Sequence, residues 1–248
     1  MNSEESEQFM DENGISKLLP NDEGYPERIN LVKRNLPEIY HLGPLTNYDD
    51  GVAVVGTRSC SKFGEEFART LGSELSTNGY KVISGLAKGI DTFAHTGCIE
   101  NDGEPIAILA WFHKLYPPQN KPLLDAILEN GCAMSEFIFM PEKNARYEFL
   151  KRDKLMMSIS DVIVVVESKS KGGAKYTADE AMKKNLPVIK CKTQTDDPEL
   201  LEGHKTFLAN GALEATSPEH VIELISELKE KKETKETKNN LDDFMTGP

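Results

Sequence analysis

Short apolar runs alternate with amphipathic stretches through the middle of this chain, and that alternation constrains the fold more than any other feature. Val52-Ala-Val-Val55 reads as a buried strand that ends in Gly56-Thr57-Arg58. A helix follows over about Lys62 to Thr77, with Phe63, Phe67, Leu71 and Leu75 at four-residue spacing, and Asn78-Gly79 stops it. The unit then repeats. Lys81-Val-Ile83 reads as a strand, Ser84 to Gly89 as a loop and Ile90 to Ile99 as a helix. Further strands are expected at Ile106–Leu109, Cys132–Met134, Val162–Val166 and Val188–Ile189. Helices are expected at Lys121–Glu129, Asn144–Ser158 and Tyr176–Lys184.

Strands joined by helices of this length predict the α/β class, and near-continuous apolar strands fit a sheet buried on both faces. The expectation is a Rossmann-like three-layer parallel sheet with helices on both faces. Its domain spans residues 49–228 and closes with a helix over Pro218–Leu228, where Val221, Leu224, Ile225 and Leu228 share a face. Residues 1–24 read as an acidic mobile segment, 25–48 as a small helical cap around Pro26 and Pro37, and 229–248 as a charged flexible tail or frayed helix.

The net charge of −12 is unevenly spread: residues 1–30 hold eight acids against Lys17 and Arg28, half of the total. The acidity therefore says little about the central domain, although nucleic-acid binders are usually basic overall. Cys60, Cys98, Cys132 and Cys191 form no CxxC pair, and the five histidines show no zinc spacing. Reduced thiols, no metal and no cofactor are expected. The N-terminus lacks the apolar stretch of a signal peptide. The apolar run Val162–Val166 is far short of the ~20 residues of a membrane span, so a cytoplasmic protein without membrane contact is expected.

Three glycine-containing loops follow strands: Gly56-Thr57-Arg58, Ser84-Gly85-Leu-Ala-Lys88-Gly89 and Lys171-Gly172-Gly173-Ala-Lys175. In a parallel sheet such loops gather at the carboxyl edge, where ligands bind. Glycine lets backbone N–H groups approach a phosphate, the following helix end favours negative charge, and Arg58 offers a fork of donors.

The order and spacing of these residues resemble the DNA-processing protein A family, also called Smf. The similarity starts at Tyr25-Pro-Glu-Arg28 and Pro37-Glu-Ile-Tyr-His-Leu-Gly43. It runs through Val54-Val-Gly-Thr-Arg58, Tyr80-Lys-Val-Ile-Ser-Gly-Leu-Ala-Lys-Gly-Ile-Asp91 and Ala94-His95. It continues with Tyr116-Pro117, Asn120 and Ser135-Glu136, and ends with the last glycine loop and Thr177-Ala178. The resemblance implies a protein that binds single-stranded DNA without hydrolytic chemistry. Such proteins protect strands and help load a RecA-type recombinase in DNA uptake, recombination or repair. A RecA-type recombinase and a homodimer partner are thus further expectations.

Carried across residue by residue, the implied DNA contacts are Gly56, Thr57, Arg58, Ser84, Gly85, Lys88 and Gly89, with Gly172, Gly173, Lys175 and Thr177 in the last loop. A second group lies at Phe149-Leu-Lys151-Arg152-Asp-Lys154, which is similar to the family's Phe-Pro-x-Arg-Asn-Arg run. There an aromatic stacks on a base while cations hold the backbone. Asp153 stands where the family has asparagine, Lys154 where it has arginine and Leu150 where it has proline. Asp179-Glu180 replaces a basic and an apolar residue, and the winged-helix module of many relatives is not expected.

Plainer roles stay open beside these. Arg58 pairs with a surface carboxylate, Lys151, Arg152 and Lys154 form a solvated helix face, and Phe149 and Trp111 pack in the core. Asp91 and His95, four apart on one helix face, make either a catalytic or metal pair or a hydrogen-bond network. Cys60, near a helix start but without a partner base, reads as inert. A different function also fits Gly172-Gly-Ala-Lys-Tyr-Thr-Ala-Asp-Glu180, which is similar to the glycine motif of "lonely guy" phosphoribohydrolases. It implies a nucleotide-binding sensor or hydrolase with Glu180 as the catalytic carboxylate.

Overall fold

Alternate residues of the central strands point to opposite faces of one sheet, and both faces are covered. The computed structural model describes residues 3–245 apart from 27, 33, 34, 45, 46 and 142–144. Helix α1 (Ser3–Asn13), strand β1 (Ser16–Leu18), the short helix α2 (Ile29–Val32) and strand β2 (Ile39–Leu42) come first. The repeating part opens with β3 (Gly51–Val55), α3 (Lys62–Thr77), β4 (Lys81–Ser84), α4 (Ile90–Ile99) and β5 (Pro105–Ile108). It continues with α5 (Lys121–Asn130), β6 (Cys132–Ser135), α6 (Ala145–Ser158), β7 (Val162–Val165) and α7 (Gly173–Lys183). Strand β8 (Val188–Cys191), α8 (Pro198–Ala209), β9 (Leu213–Ala215) and α9 (Pro218–Met245) complete it.

Among the described residues the strands form one nine-stranded sheet in the order β1-β2-β6-β5-β4-β3-β7-β8-β9. From β6 to β9 every pairing is parallel, with Val52 opposite Val162 and Val55 opposite Val165 at the centre. Ala53, Val55, Ile163 and Val165 pack against Leu155 and Met156 of α6, Ala178 and Ala181 of α7 and Phe207 of α8. Val52, Val54, Val162 and Val164 pack on the other side against Leu71 and Leu75 of α3, Ala94 of α4 and Val221 and Ile225 of α9. Truncating one such fully buried leucine to alanine costs about 2–5 kcal/mol. The expected three-layer Rossmann-like fold is therefore present.

Its flanks differ from the expectation. Residues 3–18 are not a loose segment: they form α1 and β1, and β1 pairs antiparallel with β2, which pairs antiparallel with β6. The sheet is thus mixed rather than wholly parallel. Buried Ile15 and Leu18, together with Phe9 against His113 and Phe139 at 5.7 and 5.3 Å, anchor this otherwise acidic stretch. Ile29–Val32 and Ile39–Leu42 form the short α2 and strand β2 rather than a purely helical cap, and Arg28 ties this part to the domain through Asp161 at 2.7 Å. The tail continues α9 as a helix to Met245. Just beyond the apolar face, Lys229 pairs with Asp50 and Lys232 with Asp161. Helix α8 and strand β9 are further elements, and α7 begins at Gly173, three residues before the predicted start. The predicted first residue of α6, Asn144, lies outside the described residues. Among the described residues no helix is long and apolar enough to cross a membrane.

His95 of α4 is fully buried, and burial lowers its pKa from 6.5 to about 4. The unfolded chain therefore binds more protons between those two values. The resulting stability is fully present above pH 6.5 and is lost as pH falls towards 4. Burial pushes the Asp91 and Asp153 carboxyls up, which acts in the opposite sense, so the histidine is best isolated by comparison with a variant. The stability advantage of wild type over His95→Asn should shrink by about 3 kcal/mol between pH 7 and pH 4 in urea unfolding. A pH-independent difference would contradict a neutral buried imidazole.

Candidate nucleic-acid interface

The neighbouring strands β3 and β7 send their following helices, α3 and α7, to opposite faces of the sheet. Such a point leaves a crevice beyond the strand ends, the usual ligand position of an open α/β sheet. Here it is a cleft of about 310 Å³, lined by the Gly56-Thr57-Arg58 loop, by Arg152 and Asp153 of α6, and by Lys171 to Ala174 at the start of α7.

The three glycine loops are not equivalent. At α3 the anion seat is filled by the chain itself. Glu167, fully buried, accepts bonds from Ser61 N at 2.8 Å and Ser61 Oγ at 2.6 Å, and Ser61 Oγ caps Gly64 N. Thr57 N donates to the Glu167 carbonyl at 2.7 Å. In the second loop, Asp91 Oδ2 accepts from Gly85 N at 3.1 Å and Ala87 N at 3.3 Å. Helix α7 differs. Its N-cap, Gly172, supplies no side chain, and Gly172, Gly173 and Ala174 face the cleft. The N–H groups of a first helical turn have no intrahelical partner and favour an anion. Helix α4 also starts at a glycine without a side-chain cap, Gly89, but carries Asp91 in its first turn; α7 has no acidic residue there, so its end is the better seat for a phosphate.

Helix α6 crosses behind it. Arg152, Asp153 and Met156 line the cleft, and Phe149, three and four residues before the first two, shares their face. Arg152 Nη1 donates to the Gly85 carbonyl at 2.9 Å. Its Nε lies 2.9 Å from Asp153 Oδ1, and Nη1 lies 4.0 Å from Asp91 Oδ2. One guanidinium thus serves two carboxyls that are each less than a tenth exposed. Burial pushes both carboxyls up. Arg152 opposes this at each, aided at Asp153 by Thr177 and Arg58 and at Asp91 by the loop amides. At the rim the exposed Arg58 stands 5.6 Å from the Phe149 ring and 5.8 Å from that of Tyr116. Arg152 also lies 5.6 Å from Phe149, which meets Trp111 edge-on at 5.3 Å.

The structure thus brings Gly56, Thr57, Arg58, Arg152, Gly172, Gly173 and Thr177 together around the cleft. Others fall elsewhere. Ser84 is fully buried, and its hydroxyl is spent on the Val54 carbonyl at 2.6 Å. Gly85 is covered by Arg152, which a β-carbon there would strike. Gly89 caps α4 at φ 77°, where only glycine clears the Thr57 carbonyl. Lys88 is exposed at the loop tip, outside the cleft lining. Lys175 is buried beside Phe207 and paired with Asp179, turned from the cleft. Lys151 lies on another face of α6, paired with Glu148, and Lys154 does not line the cleft either. The linear run 149–154 is split because residues two apart on a helix point in nearly opposite directions.

Glu180, the carboxylate of the hydrolase alternative, is outside the lining and bonds to Lys183 at 2.7 Å. Asp91 lines the cleft and takes part in a hydrogen-bond network with the Gly85 and Ala87 amides. Asp153, which stands where the family has asparagine, is buried and pairs with Arg152. Lys169 and Ser168 were missed as lining residues; their place directly after the strongest strand was the available signal.

A doubly wound α/β sheet with an open helix end and two arginines in its switch-point cleft defines a Rossmann-type protein. The chain belongs to the family of DNA recombination-mediator protein A, which it matches over residues 16–226. The Smf protein of Synechocystis is 32% identical over 203 residues, covering 79% of this chain and 50% of that relative, so this chain spans half its length. The structure of DNA processing protein A from Streptococcus pneumoniae is similar with a TM-score of 0.76 and 27% identity, over 87% of this chain and 77% of that one. DNA processing protein A from Helicobacter pylori, described for its single-stranded DNA binding mode, has a TM-score of 0.72 at 25% identity, over 86% and 96% of the two chains.

Removing the carboxylate at the α3 end strands the Ser61 donors in a buried position. Glu167→Ala should lower the unfolding free energy by about 1–3 kcal/mol in urea titration. An unchanged midpoint and slope would mean that solvent replaces Glu167 at no cost.

Proposed function

We propose that the cleft holds the backbone of single-stranded DNA. In this reading the protein is cytoplasmic, protects strands and helps load a RecA-type recombinase in DNA uptake, recombination or repair, working as a homodimer. The observation that carries the DNA reading is the open N-terminus of α7 facing Arg58 and Arg152 beneath an aromatic rim. A phosphate fits between amide donors and guanidinium forks. Tyr116, 55% exposed beside it, offers a face to an unpaired base. A flexible strand can dip a phosphate into a recessed cleft and turn its bases to the rim, whereas paired bases have no free face for stacking. Family membership supports the reading, as does the single-stranded DNA binding of the Helicobacter pylori protein.

Labelled oligo-dT should bind more tightly than duplex of equal length, and its affinity should fall as salt rises, because neutralised phosphates release counterions. Arg58→Ala should weaken it by about 1–3 kcal/mol, whereas Lys175→Ala, which lies off the cleft, should leave it near wild type. Equal affinity for duplex, or binding indifferent to salt, would reject the proposal.

Asp153 and Asp91 share Arg152 and add negative charge beside the phosphate seat. Asp153→Asn should therefore tighten oligo-dT binding by more than the ~0.5 kcal/mol of an ordinary surface pair. A smaller change in the same anisotropy titration would remove the Asp153 charge from the binding step.

A further inference from the structure

The cleft ends at Phe149, but the aromatic surface continues. Trp111 meets Phe149, and the next residue, Phe112, donates its N–H to the carbonyls of Phe137 and Ile138 at 3.2 and 3.0 Å. The loop after β5 is thereby stitched to the loop after β6. Phe137 lies 4.4 Å from Lys151 Nζ, and the same ammonium lies 4.9 Å from the ring of Tyr147. Two aromatic groups, joined through the Phe112 backbone rather than ring to ring, thus form a run across the carboxyl ends of β5 and β6, away from the cleft. Tyr147 at 58% and Tyr116 at 55% are the most exposed large hydrophobic side chains among the described residues, and they belong to the two ends of this run.

Tyr147 is held while it is exposed. Lys151, one turn on, sits between the Tyr147 and Phe137 rings, and Glu148 fixes the ammonium at 3.3 Å. A cation over a ring restrains it and leaves the other face free. Tyr147 and Phe149 are two apart on α6 and point in nearly opposite directions, so Tyr147 has no part in the cleft. Between the β3–β7 crevice and β6 lie three sheet spacings, roughly 15 Å. An unpaired strand stretches beyond the ~3.4 Å per residue of a duplex strand, so the gap is bridged by about four nucleotides at most.

We infer that Tyr147, clamped by Lys151 against Phe137, is a second stacking platform, taking an unpaired base of the strand whose backbone lies in the cleft. The inference rests on the DNA reading above and extends it: the binding track leads from α7 across the sheet edge towards β6.

The test compares oligo-dT of two and of twelve residues, each competing against a labelled twelve-mer. Tyr147→Ala should weaken the twelve-mer by at least about fivefold, the lower end for one stacked base, and leave the two-mer unchanged. Tyr147→Phe should retain binding, and Phe149→Ala should weaken both lengths. Circular dichroism melting of Tyr147→Ala should match wild type, since the side chain is exposed. If Arg58→Ala weakens both oligonucleotides while Tyr147→Ala weakens neither, or weakens both alike, the second platform is wrong and the cleft stands. If Arg58→Ala also changes nothing, the DNA reading falls with it.

Discussion

Glu167 joins the two strands between which the cleft opens. Its carbonyl takes the Thr57 N–H just beyond β3, and its carboxylate takes both Ser61 donors at the start of α3. Fully buried, it holds the ends of β3 and β7 together and satisfies a helix terminus from inside the protein. A β-carbon on Gly64 would strike this carboxylate, so the first turn of α3 is fitted around it. Lys190 continues the same stitching one strand further, donating to the carbonyls of Val166 and Cys191 and to Thr193 Oγ1. Burial lowers its pKa to about 8. The interior of this edge is thus polar, paired and fixed, and the adjacent α7 terminus is left facing outward.

Arg152 plays the corresponding part on the other wall. It is bonded to the Gly85 carbonyl and lies between Asp91 and Asp153, while its guanidinium borders the cleft. An arginine with so many partners is held in one orientation, and the orientation is what a phosphate fork requires. The two carboxyls reduce its net charge at the same time. Positioning and attraction are therefore opposed here, and the more exposed Arg58, braced on Tyr116 and Phe149, adds charge at the rim, where Asp153 is the carboxyl it acts on.

Much of the fold was legible because burial repeats with a period. Val52–Val55, Lys81–Ile83 and Val162–Val165 form strands where their apolar pattern places them, and α3 and α4 occupy their predicted spans. The flanks were illegible for a physical reason. Strand β1 is fixed by pairing with β2, α1 by Phe9 against His113 and Phe139, and the middle of α9 is tied down by Lys229 and Lys232 meeting Asp50 and Asp161. Each depends on a partner distant in sequence, and none leaves a local period.

The sequence alone determined the α/β architecture, the three strand-end loops and the family, since these rest on local pattern and on residue order. Only the tertiary structure decided which loop is open. Ser61, just past the first loop, and Gly85 and Ala87 in the second donate to Glu167 and Asp91, carboxylates that chain order does not mark as partners. It likewise decided that Arg152 faces the cleft while Lys151 and Lys154 do not, because a helix separates neighbours in sequence by about 100° each. Position along the chain names the candidate side chains; the direction in which each points, and whether another group has already claimed it, is fixed by packing.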